Sequence, residues 1–123
     1  MEFVKLKYDG EYYDYAGSDT IKMTILGRFL ISDAASQMQW YRDWALNDPI
    51  ESVCGNITSL DKIDGKIYLS DLYSEENIPA ELMMTIDQFI QLLDDWEEKV
   101  CKVKPKEVII KHEHDQFVIE TKD

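Results

Sequence analysis

Two Asp-Gly pairs, Asp9-Gly10 and Asp64-Gly65, constrain this chain more than any other feature. Each stands between runs that alternate apolar and polar residues. An Asp-Gly pair supplies the positive φ angles of a type I′ turn, which joins two antiparallel strands in a fixed register. Around the first pair, residues 2–8 and 11–16 are expected to set Leu6 against Tyr13, Val4 against Tyr15 and Lys5 against Asp14. One face is then apolar and aromatic, and the other carries an opposite-charge pair. Around the second, residues 56–63 and 66–72 set Leu60 against Leu69 and Ser59 against Ser70. A third hairpin is expected near the end of the sequence. Val108, Ile110 and His112 alternate on one strand and Phe117 and Ile119 on the other, with His114-Asp115 as the turn.

Between the hairpins the pattern changes. Gly17-Ser18-Asp19 reads as a turn, and residues 20–31 as a long strand, rich in β-branched and aromatic residues, with Gly27 at a bulge. Ser32 or Asp33 is placed to cap a helix carrying Ala34, Met38, Tyr41 and Ala45 at helical spacing through Asn47. Asp48-Pro49 ends it, because the residue before proline avoids the helical region. Trp40 and Trp44 lie four apart on this helix. Residues 73–79 read as an acidic loop and 81–84 as a short strand. Thr85 and Gln88 then form a capping box for the clearest helix, whose stripe is Ile86, Phe89, Ile90, Leu93, Trp96 and Val100. That helix must stop before Pro105.

The expected order is ββ, β, α, ββ, β, α, ββ. This is an α+β fold in which an antiparallel sheet built from hairpins has one face covered by two helices. At 123 residues the chain is expected to form a single domain, residues 1–123. Hydrophobic residues make up 45% of it, enough for a folded core at this charge. No apolar run reaches membrane-spanning length, and the segment MEFVKLKYDG has no signal-peptide core, so a cytoplasmic location is expected. Cys54 and Cys101 lack metal or redox spacing and are expected to be reduced thiols.

The charge is concentrated. From Asp71 to Glu98 there are nine carboxylates and no lysine or arginine, whereas residues 1–70 hold 11 acids and 7 bases and residues 99–123 hold 5 and 6. Most of the formal charge of -12 therefore belongs to one segment, which attracts basic partners and repels nucleic acid and anionic membrane. Asp94, Asp95, Glu97 and Glu98 stand in the last turns of their helix, where the dipole disfavours negative charge. Only Asp95 with Lys99 and Glu98 with Lys102 have a lysine four residues on. Acids placed against the dipole in this way point to a partner. Tyr68, Tyr73 and Trp40 add aromatic anchors of the kind protein interfaces favour. The candidate partner-binding residues are Trp40, Asp71, Tyr73, Glu75, Glu76, Asp94, Asp95, Glu97 and Glu98.

Catalytic signals are weak. His112-x-His114 is interleaved with Glu113 and Asp115, and two imidazoles on one strand face point the same way, but a metal needs a third ligand from elsewhere. The residues favour an ordinary polar turn. Adjacent carboxylates such as Asp94 and Asp95 point about 100° apart on a helix. No nucleophile, phosphate-binding or metalloprotease motif is present. No enzyme activity, cofactor or metal is expected.

The segment TIDQFIQLLDDWEEKV, the linker CKVKPKE and the closing VIIKHEHDQFVIET together resemble the small acidic immunity proteins of bacterial polymorphic-toxin and contact-dependent growth inhibition systems. The resemblance covers roughly the last third of the chain and carries no residue-level motif. It implies a cytoplasmic bacterial protein that binds one basic toxin domain, often a nuclease, and blocks it stoichiometrically. On this expectation the partner is a protein and neither nucleic acid nor membrane, and the chain is a monomer or homodimer. The alternative from charge alone is a small acidic regulatory or adaptor domain for another basic protein.

Overall fold

The computed structural model describes residues 1–35, 37–72 and 81–123. Among these, eight strands form two antiparallel sheets of four, and three helices pack with them. The α+β class and the hairpin construction follow the expectation from sequence, with one more sheet and one more helix.

The first sheet has the order β2-β1-β7-β8 and joins the two ends of the chain. Its strands are β1 (Glu2–Tyr8), β2 (Tyr13–Ser18), β7 (Glu107–Glu113) and β8 (Gln116–Lys122). The second runs β3-β4-β5-β6, with β3 at Ser52–Cys54, β4 at Thr58–Ile63, β5 at Lys66–Asp71 and β6 at Glu81–Thr85. The helices are α1 (Ile21–Arg28), α2 (Met38–Asn47) and α3 (Ile86–Trp96). Wider π-helical turns extend α1 over Phe29–Asp33 and α3 over Glu97–Cys101. Helix α1 packs on β1 and β2 of one sheet and on β5 and β6 of the other, and α3 spans from β8 to the same two strands. Val4, Leu6, Leu26, Phe29, Trp44, Leu69, Phe89, Trp96, Val108 and Ile110 therefore share one core. Burying each such large side chain contributes about 1.5–3 kcal/mol.

Two hairpins form as expected. Asp64 (φ 50°) with Gly65 (φ 77°), and His114 (φ 52°) with Asp115 (φ 59°), hold both turn residues in the left-handed region a type I′ turn requires. Leu60 faces Leu69 and Ser59 faces Ser70. The first hairpin departs from its expected register. Tyr8 faces Tyr13, Lys7 faces Asp14 and Leu6 faces Tyr15, and a bulge follows before Val4 meets Ser18. The Asp9 carboxylate accepts from the backbone of Glu11 and Tyr12, both at 2.8 Å. That side-chain turn consumes four residues instead of two. Tyr15, expected opposite Val4 on the apolar face, stands opposite Leu6 and is exposed, while Tyr13 is half-buried and stacks on Tyr8.

The expected strand over residues 20–31 is a helix. The Thr20 hydroxyl accepts from the Met23 N–H, and Met23, Ile25, Leu26, Phe29 and Leu30 are buried. Packing between two sheets outweighs the β preference of Ile21, Thr24, Ile25 and Ile31. Gly27 makes no bulge. A Cβ there would stand 2.8 Å from a Val4 methyl group, so glycine lets α1 lie directly on β1. Neither Ser32 nor Asp33 caps α2, which begins after Gln37 without a side-chain cap. The α3 capping box is present as expected, with Thr85 N–H to Gln88 Oε1 at 2.8 Å and Gln88 N–H to Thr85 Oγ1 at 3.1 Å. No helix among the described residues is long and apolar enough to cross a membrane. Cys54 and Cys101 are free.

Candidate partner-binding surface

The carboxylates expected to act as one cluster are divided between two flanks of α3. Phe89, Leu92, Leu93 and Trp96 face the core. On one flank Arg42 of α2 reaches across, with its Nε 2.9 Å from Asp94 and an Nη 3.2 Å from Glu97. The Arg42 side chain is only 13% exposed, so this base is committed to the two acids. Glu98 pairs with Lys102 at 2.6 Å and raises that ammonium above its ordinary pKa. The dipole at the C-terminal end of α3 is thus partly offset from α2 and from the turn that follows.

On the opposite flank, Asp87, Gln91 and Asp95 repeat at i, i+4, i+8 and share one face. With Gln88 they form one wall of a groove of about 410 Å³, and Asp115, Gln116 and Phe117 at the start of β8 form the other. Gln88 Nε2 donates to the Asp115 carbonyl and ties the two walls together at the helix N-terminus. Asp95 accepts from Gln91 Nε2 at 3.2 Å. Among the described residues, Asp87, Asp95 and Asp115 take part in no ion pair. Asp87 and Asp115 are exposed and Asp95 is half-buried, and a cationic partner would gain charge-assisted hydrogen bonds there.

The remaining candidates lie apart. Trp40 is half-exposed on α2, edge-on to Tyr41, above a shallow groove with Asp43, Asn47 and Asp48. Its neighbour in sequence spacing, Trp44, is buried, and its indole N–H donates to the Ile50 carbonyl at 2.9 Å. Asp71 is half-buried at the end of β5, beside a cavity shared with Arg28 and Tyr15. Tyr73, Glu75 and Glu76, and the expected acidic loop over 73–79, lie outside the described residues.

His112 and His114 do not converge. The His112 ring stacks on Phe117 at 4.3 Å, and its Nδ1 lies 3.2 Å from a Glu2 carboxylate, whereas His114 occupies the exposed turn. Among the described residues no three His, Cys, Asp or Glu side chains gather as a metal site requires. Cys101 is half-buried, and burial, followed by Glu97, pushes its thiol pKa up, the opposite of an activated nucleophile.

Asp87 is not among the expected candidates, and no sequence signal joins it to Asp115, since nothing local pairs residues 28 apart. Comparison with protein families, with curated proteins and with solved structures finds no match.

Proposed function

We propose that this chain is a binding protein that neutralises a basic protein domain by occupying it one to one, as an immunity protein does its toxin. The observation carrying this reading is the α3–β8 groove, where Asp87, Asp95 and Asp115 stand without counter-ions among the described residues. Unpaired carboxylates on one flank steer a basic partner into place and then pair with its lysines or arginines. Exposed Trp40, with Asp43 and Asp48 beside it, offers a second contact where a guanidinium stacks on an indole. The toxin assignment within this reading draws on the resemblance of the last third of the chain to immunity proteins.

The test compares the wild-type chain with Asp87→Asn/Asp95→Asn/Asp115→Asn as bait in host lysate at low salt, followed by a salt step. One basic protein should be released from the wild type and be depleted on the variant. Expressed alone it should arrest growth, and co-expression of this chain should restore it. A harmless basic protein would instead support the adaptor reading. Equal recovery on both baits would refute the role of the groove.

A further inference from the structure

The first sheet ends at β8, and the acidic groove opens beside that end. The two-residue turn His114-Asp115 closes on the facing pair Glu113 and Gln116. In such a hairpin the closing pair exchanges both backbone hydrogen bonds, and the pattern then alternates. Gln116, Val118, Glu120 and Lys122 therefore turn their backbone groups toward β7. Phe117, Ile119 and Thr121 turn theirs outward, and no other strand or loop among the described residues takes them. Ile119 in the middle of this row is only 4% exposed, with its side chain in the core, so the row is most open at Phe117 and Thr121. Unpaired donors and acceptors along an edge are a template for a further strand. The flank of α3 away from Arg42 walls this edge with Asp87, Gln91 and Asp95, and Asp115 closes the near end.

We infer that β8 takes an extended, basic segment of the partner protein as a fifth strand of the first sheet. This inference rests on the protein-binding reading and specifies its mode. Main-chain pairing to Phe117, Ile119 and Thr121 supplies affinity without sequence demands. Side chains of an added strand point alternately to the two faces, so every second one enters the groove beside α3. Three carboxylates without counter-ions there select lysine or arginine, and the exposed outer face beside Val118 accepts an apolar residue. Charge complementarity excludes an acidic strand from the same place.

The probe is a seven-residue peptide alternating lysine and valine, blocked at both ends, matched to the length of β8. It is added at low salt to the intact isotope-labelled protein, and amide exchange is followed residue by residue. Exchange at Phe117, Ile119 and Thr121 should slow about tenfold or more at saturation, while amides already bonded to β7 change little. The same peptide with its bonding amides N-methylated should give no protection. The Asp87→Asn/Asp95→Asn/Asp115→Asn protein should bind the unmodified peptide more weakly and with less salt dependence. Binding that leaves the three amides unprotected, or that survives N-methylation, would overturn strand addition while leaving an acidic docking surface in place. Failure of the peptide to bind at all would overturn the inference, and the capture experiment would judge the broader reading independently.

Discussion

The Asp33 carboxylate is the most heavily hydrogen-bonded side chain of the described residues, and its removal should be costly. It is 6% exposed at the end of the α1 extension. It accepts from the backbone N–H of Asn56 at 2.8 Å, of Ile57 at 3.3 Å and of Thr58 at 2.9 Å, and from the Thr58 hydroxyl. Asp33→Ala strands all four donors. Those of Asn56 and Ile57 are only partly buried and can turn to water, but the two on Thr58 are enclosed. Each buried group left unpaired costs about 1–3 kcal/mol, so a loss of about 2–5 kcal/mol is expected. That is a large share of the roughly 5–15 kcal/mol that holds a domain together. Gly55 supplies the control. A Cβ there would stand 2.5 Å from Asp33 Oδ2 and 2.8 Å from Asp33 Cβ, so Gly55→Ala should push the carboxylate off the same donors. Urea unfolding of both single variants and the double variant, followed by tryptophan fluorescence, forms a closed cycle. If one carboxylate does this work, the double variant costs little more than the worse single one, with a coupling of about 1–3 kcal/mol. A silent Gly55→Ala, or costs that add within about 0.5 kcal/mol, would refute the reasoning.

Arg42→Met should destabilise the protein by only about 0.5–1 kcal/mol, because the Asp94 and Glu97 carboxylates it releases are open enough to water to be solvated; the deficit should shrink in high salt, as thermal melts at two ionic strengths would show. Thr85→Ala should cost about 1 kcal/mol through loss of the α3 cap, and Thr85→Ser should recover most of it in the same melts. Burial pushes the phenols of Tyr13 and Tyr41 up to about 12. Because the folded state then holds these protons more tightly than the unfolded chain, their contribution is complete below about pH 10 and is lost between pH 10 and 12. Alkaline unfolding in that window, less steep in Tyr13→Phe/Tyr41→Phe, is the expected titration; an unchanged slope would refute it.

Turn chemistry was readable where the backbone alone sets the turn, as at Asp64-Gly65 and His114-Asp115. It misled at Asp9-Gly10, where the aspartate side chain captures two N–H groups and lengthens the loop. Residues 20–31 carry β-branched residues throughout, and only the two sheets enclosing them make a helix the better way to bury Phe29 and Leu30. The same limit applies to the site. Charge density along the chain marks Asp94, Glu97 and Glu98, but Arg42 lies more than 50 residues earlier and neutralises two of them only in the fold. Asp95 stands among the expected partner-binding residues, whereas Asp87, two turns earlier on the same helix face, does not. Their companion Asp115 depended on which strand ended the first sheet, a property of the topology and not of any local pattern.

An exposed edge strand ordinarily invites pairing with another copy of the same chain, and β8 carries no proline to prevent it. On the inferred mode of binding, the groove acids would decide between partners. A second copy brings its own Asp87, Asp95 and Asp115 to the junction, and each molecule carries a formal charge of -12. Edge-to-edge pairing then sets like charges at close range, which costs several kcal/mol at an interface. A basic strand meets the same field with opposite sign. If β8 takes a basic strand as inferred, carboxylates that weaken the self-complex would strengthen the foreign one and make the edge selective without a dedicated pocket. The expected consequence is a monomer at neutral pH and low salt that gains dimer in Asp87→Asn/Asp95→Asn/Asp115→Asn, as sedimentation equilibrium would report. A variant that stays monomeric at every concentration would mean that the edge is shielded by something other than charge.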